Sequence, residues 1–206
     1  MLEPKNTSNF DPEINEYYNQ DFTNIQFSKN ELNKVEFDNC SFKNCDFSET
    51  IFKHCKFLDC NFSHCNLSNI QINYSRYNEV FFEHCKMLGI DWTRAYWPNL
   101  ALPAPFKFSN CILNDSSFHG LKLSELQLES CKLQDVDFRE GDFSQSNFIN
   151  SNFSYSLFNN TILIEADFTD AINYNIDINN NNIKHAKFSR DQALNLLIGL
   201  DIEIVD

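Results

Sequence analysis

Residues 35–69 read VEFDN CSFKN CDFSE TIFKH CKFLD CNFSH CNLSN: blocks of five, each with a large apolar residue at its third place. Stepping outward by five from Phe37 keeps the pattern. Toward the N-terminus it meets Leu32, Phe27 and Phe22; toward the C-terminus it runs through Phe42, Phe47, Phe52, Phe57, Phe62, Leu67, Ile72, Tyr77, Phe82, Met87, Trp92 and Trp97. A second run starts at Phe108 and continues every five residues to Leu163 and Phe168; Asn173 breaks it, and Ile178, Ile183 and Phe188 resume it. Of the 21 Phe, 18 occupy this central place, where chance would put about a fifth. Two residues before each centre stands a small or apolar residue, and all eight Cys fall there: Cys40, Cys45, Cys55, Cys60, Cys65, Cys85, Cys111 and Cys131.

A period of five fits neither the helix period of 3.6 nor the strand period of 2. Two inward residues at i−2 and i make one short extended side, and the other three turn a corner and face water. Such coils cannot bury a core singly, so they stack as parallel, in-register strands. The step from Trp97 to Phe108 is eleven, which reads as two repeats plus one extra residue. With Pro98, Pro103 and Pro105 there, the expectation for 98–105 is a corner bulge or short loop. Residues 1–20 lack the pattern and read as an arm or partial cap, leaving 21–188 as the repeat column. Ser189 and Gln192 carry a capping-box signature for a helix reaching Leu200, and 201–205 alternate like a strand. The segment 189–206 therefore reads as a cap over the last coil.

Segments such as Cys45-Asp46-Phe47, Cys60-Asn61-Phe62, Val136-Asp137-Phe138 and Ala166-Asp167-Phe168 resemble the pentapeptide-repeat family, whose pattern is A-(D/N)-(L/F)-x-x. The resemblance covers about 20–190. It implies an all-β fold, a right-handed parallel β-helix with four sides per coil. The tail, Ala171 to Asp177, Ile183 to Ser189 and Leu200-Asp201-Ile202, is similar to Qnr-type quinolone-resistance proteins and a microcin-immunity protein. That narrower resemblance implies a head-to-head homodimer through the C-terminal helix, here Leu194, Leu196, Leu197 and Leu200, and a partner such as DNA gyrase or topoisomerase IV. Qnr-type proteins of Gram-negative bacteria also carry projecting loops, which this register does not suggest.

Composition narrows the chemistry. A formal net charge of −13 argues against direct nucleic-acid binding. The most apolar stretch, Ala193–Leu200, is far short of the ~20 residues of a membrane span. The first residues lack a basic segment followed by an apolar one, so the expected location is the cytoplasm. The C-x4-C spacings tempt a metal reading, but the register turns every Cys inward as a small hydrophobe, and no metal or cofactor is expected. His54, His64 and His84 each precede a Cys yet fall at an outward corner, so no Cys–His nucleophile pair forms. Phosphate loops, nucleophile elbows and HExxH are lacking, and no enzyme activity is expected.

The charge is unevenly spread. Residues 22–134 hold twelve acids and eleven bases, whereas 135–206 hold twelve acids and four bases. The candidate contacts for a basic partner surface are Asp135, Glu140, Glu165 and Asp170, two after a centre. Asp137, Asp142 and Asp167 precede centres and also suit turn capping. The leading expectation is a dimeric DNA mimic that engages a type II topoisomerase; the alternative is a scaffold for another protein partner.

Overall fold

A computed structural model describes residues 10–98, 104–200 and 202, with 198 and 199 as backbone only. The chain winds as a parallel β-solenoid of about eight turns, and most strands among the described residues are three residues long with the middle residue buried. Residues 20 apart pair in register. On the first side Asp21–Thr23, Ser41–Lys43 and Asn61–Ser63 stack in order. The second side passes through Gln26, Asp46, Asn66 and Lys86. The third side includes the pairing of Glu31–Asn33 with Ile51–Lys53, and the fourth stacks Glu16–Tyr18, Glu36–Asp38, Lys56–Leu58 and Arg76–Asn78.

The centres form the core. Rings on one side stack face to face, as Phe42 on Phe62 at 4.5 Å and Phe118 on Phe138 at 5.4 Å. Rings on adjacent sides meet edge to face, as Phe37 with Phe42. Both geometries suit the aromatic quadrupole. The place before the centre carries Asp or Asn whose side chain accepts from the backbone N–H two residues on, as at Asp46, Asn66, Asn147 and Asn152. The place two after the centre is left-handed: Asn24 (φ 58°), Asn44 (54°), His64 (55°) and Glu125 (62°) all turn the corner this way. Asn and Asp tolerate that region best, but the backbone hydrogen bond to the next coil holds Lys, Glu and His there too.

The small inward place does more than save space. Its side chain clips two coils together. Ser75 Oγ donates to the Phe52 carbonyl at 2.9 Å and accepts the Cys55 N–H at 3.0 Å. Ser151 Oγ joins the Leu128 carbonyl (2.6 Å) and the Cys131 N–H (2.9 Å) in the same way. Cys thiols substitute: Cys85 Sγ donates to the Phe62 carbonyl at 3.4 Å and accepts from the Cys65 N–H at 3.4 Å. Each clip satisfies two backbone groups buried inside the column, which otherwise cost about 1–3 kcal/mol apiece. All eight Cys are free and buried. The sulfur-to-sulfur contact with Cys111 and burial push Cys85 up to about 12, and burial pushes Cys131 up to about 12. Cys60 is raised by its neighbour Cys40 and by burial.

Three expectations need correction. The interruption is not one extra residue. Val80–Glu83 pairs with Phe106–Ser109, and Lys86 with Ile112, an offset of 26 where the levels on either side have 20. Six residues are inserted at the corner between the fourth and first sides. An eleven-residue step reads equally as ten plus one or five plus six, and Phe106 settles it: the ring lies buried at the small inward place beside Trp92 and Tyr77. Cys45, Cys65, Cys85, Cys111 and Cys131 consequently form one unbroken stack, where the shorter interruption separates the last two.

The column also begins before residue 21. Tyr17 is a buried centre five residues ahead of Phe22, stacked on Phe37 at 5.2 Å, and Phe10 covers the first coil against Tyr17, Phe22 and Phe27. At the far end Asn173 takes the left-handed corner (φ 59°), and Tyr174 is buried in place of a centre at 173. Phe158 then bridges Ile176, two short of the usual 20, and Asn181 restores the register by accepting the Thr161 N–H at 3.0 Å. Finally, the Ser189 capping box does not form. The α-helix is only Arg190–Ala193, continued as a 3-10 helix Leu194–Leu200, and Ser189 makes no cap hydrogen bond through its side chain. The expected strand at 201–205 lies outside the described residues.

Candidate partner-binding surface

The seven acids singled out in the sequence separate into two groups on opposite sides. Asp135 and Glu140 occupy the two left-handed corners bounding the third side, at φ 55° and 60°. Asp137 lies on that side between them, and Asp142 just past its far corner. Glu165 and Asp170 occupy the corners bounding the first side, with Asp167 between them. A flat partner reaches one group; a saddle that wraps the rod reaches both.

The two groups differ in how far they are engaged. On the third side Asp137 is committed. Its carboxylate accepts the Arg139 N–H at 3.0 Å and a forked pair from the guanidinium at 2.9 and 2.8 Å. Burial opposes ionisation, but the bonds from Arg139 prevail and hold this carboxyl below its ordinary range. His119 sits 3.7 Å from Asp137 and 3.9 Å from Glu140. Asp142 caps Ser144 through its N–H (3.0 Å) and hydroxyl (2.6 Å). Asp135 and Glu140 stand exposed, Asp135 accepting only from its neighbour Gln134 at 3.1 Å.

On the first side all three acids have partners. Asp167 caps Thr169 and accepts from Lys187 Nζ at 3.0 Å. Glu165 accepts from Gln145 at 2.9 Å. Asp170 fastens the terminal segment: its N–H donates to Ser189 Oγ at 2.7 Å, and that hydroxyl donates back to its carboxylate at 2.9 Å. Ser189 is thus spent on the last coil rather than on its own helix.

Of the leucines expected at a dimer contact, Leu196 is buried, Leu197 is half-buried, and Leu194 and Leu200 are exposed. Beneath them the last centres, Ile178, Ile183 and Phe188, are only partly covered. An apolar belt absent from the sequence reading lies nearby: Tyr155, Leu157, Ile162 and Ile172 are all exposed. The signal was available. Leu157 and Ile162 stand just before a centre, where turn-capping Asp and Asn are common, and Ile172 stands at the same place of the repeat that Asn173 breaks.

A family model described as Pentapeptide repeat region matches residues 35–103 and 90–168, together more than half of the chain. The chain is a pentapeptide-repeat protein. Among solved structures, this pentapeptide-repeat protein is similar to a trypsin-treated form of QnrB1, a plasmid-mediated fluoroquinolone resistance protein. The TM-score is 0.63 at 23% identity, covering 92% of this chain and 90% of that chain. Full-length QnrB1 gives a TM-score of 0.53 at 24% identity, covering 91% and 90%. At this identity the likeness concerns the fold. Comparison with curated protein sequences finds no match.

Proposed function

We propose that this pentapeptide-repeat protein is a non-enzymatic, dimeric binding protein that competes with DNA for a type II topoisomerase. The observation that carries the reading is the placement of Asp135, Asp137 and Glu140 across the third side of one coil of a filled rod, with Asp142 just past its corner. Eight coils at about 4.8 Å make a rod of about 40 Å. Two copies joined at their C-terminal ends bring their acidic thirds together at its middle. A basic saddle shaped for duplex DNA meets these acids there, and added salt weakens the contact. Asp135 and Glu140 are the strongest contact candidates, because both stand exposed at corners, outside the turn-capping hydrogen bonds that hold Asp137 and Asp142. Tyr155, Leu157 and Ile172 favour a second reading, a scaffold for a different protein, since an exposed apolar belt suits a protein contact better than charge mimicry.

The test is gyrase supercoiling and drug-stabilised cleavage with purified protein. Wild type alters one or both at micromolar concentration, and Asp135→Lys with Glu140→Lys abolishes the effect without lowering the melting midpoint. No complex at low salt and no change in either reaction would defeat the topoisomerase reading in favour of the scaffold.

A further inference from the structure

The N-terminal half carries a surface of the opposite character, at the corner between the third and fourth sides. There Lys53, His54, Lys56, Tyr74, Arg76, Arg94 and Tyr96 come together across three successive coils. His54, Lys56, Tyr74, Arg76 and Tyr96 line a recess of about 350 Å³. The His54 and Tyr74 rings stack on one another, 5.2 Å apart and 12° from parallel, so the pair offers a base its outer ring faces. Across from them the Arg76 guanidinium lies 4.0 Å above the Tyr96 ring. Segments 51–56 and 71–76 contain no acid at all. Lys56 is held by Glu36 at 2.6 Å and Arg94 by Asp91 at 3.0 Å, while Lys53 and Arg76 have no ion pair among the described residues.

Tyr74 does not earn its place through the fold. It occupies the left-handed corner at φ 58°, which bulky side chains avoid, and its side chain is 63% exposed. Tyr155 shares that conformation, but it stacks above Asp115 and Asp135, where no cation accompanies it. At Tyr74, as at His54 beside it, an aromatic ring in a left-handed corner borders a recess with unpaired positive charge.

We infer that this recess binds a nucleotide, its base stacked on the outer face of the Tyr74–His54 pair or against Tyr96 and its phosphate held by Arg76 in the recess, with Lys53 on the adjoining surface. Flat aromatic faces accept any base, and Arg and Lys supply the phosphate contact. The volume fits one nucleotide unit at the small end of ligand pockets. The overall charge of −13 does not forbid this: at physiological salt the Debye length is about 8 Å, so the acidic C-terminal third is screened from the recess. The unit can be a free nucleotide or one residue of a single strand, and the inference stands independently of the topoisomerase reading.

The experiment is titration of the full chain at low ionic strength with adenosine monophosphate, adenosine, inorganic phosphate, thymidine monophosphate, an oligothymidylate and a Glu-rich peptide. The expected result is saturable binding of the nucleotide, weaker by tenfold or more for adenosine and for phosphate alone. Arg76→Glu and Tyr74→Ala should each lose at least tenfold, whereas Lys132→Glu, an equal charge change elsewhere on the rod, leaves binding intact. Both sites are exposed, and thermal melts verify that the variants remain folded. Oligothymidylate binding tighter than thymidine monophosphate assigns the ligand to single strands; equal affinity per nucleotide assigns it to free nucleotides. Absence of saturable binding at millimolar nucleotide overturns the inference. So does equal weakening by Lys132→Glu, or a Glu-rich peptide that binds as well as the nucleotide.

Discussion

At the scale of single residues, the fold depends on how the small inward place handles two buried backbone groups. The sequence makes the size of that residue legible, because Cys, Ser, Thr and Ala recur there, but not its hydrogen bonds. Those appear only once coils are stacked and the partner lies 20 or 23 residues away. Ser151→Ala removes one hydroxyl and strands the Leu128 carbonyl and the Cys131 N–H. It should cost about 1–3 kcal/mol, and Ser151→Cys, which keeps a donor and acceptor as Cys85 does, should cost less. Urea melts distinguish the two. Asp137 gives a pH prediction. Its carboxyl is held below the ordinary range, so its contribution is full above the unfolded value near 4 and is lost as pH falls through the lower folded value. The denaturation midpoint of wild type should therefore fall more steeply below about pH 4 than that of Asp137→Asn.

At the scale of the element, the period of five and the pairing of residues 20 apart together make the coil four-sided, and Phe22 to Trp97 was readable residue by residue. What the sequence hid was phase. A centre can be lost in a corner without trace, so the inserted six residues looked like one, and Tyr17 went unnoticed because Pro4 and Pro12 made its neighbourhood look unpatterned. Asn173 misled for the same reason: Tyr174 takes the core place one residue late. Phe106 is the sharpest test of the corrected phase. If it sat in a loop, Phe106→Ala would be nearly neutral; because its ring fills an inward place, the cost should be about 3–5 kcal/mol. Equilibrium unfolding in urea decides between these values.

At the scale of the whole molecule, the two ends are treated differently. Phe10 covers the first coil, while the last coil leaves Ile178, Ile183 and Phe188 partly open beneath a helix that shows Leu194 and Leu200 to solvent. Removing residues 190–206 should convert a dimer into a monomer or an aggregating species, as light scattering would reveal; a full-length chain that is monomeric at micromolar concentration would refute the dimer. The acidic surface was legible as composition, since the bias beyond residue 135 needs no structure. Its division between opposite sides was not, because adjacent corners in space are five residues apart and opposite ones ten, and only the corner geometry shows which acids the fold consumes.

The clips also determine how the molecule would respond to force. Each binds one coil to the next and none spans two, so a chain pulled from its C-terminus should come apart like unwinding thread, one level at a time. An ordinary level releases 20 residues, about 70 Å of extended chain. One level alone, where Phe106–Ser109 lies on Val80–Glu83, releases 26 residues and about 90 Å. A single-molecule trace would show evenly spaced drops with one wider gap, and the position of that gap would mark the inserted corner along the rod.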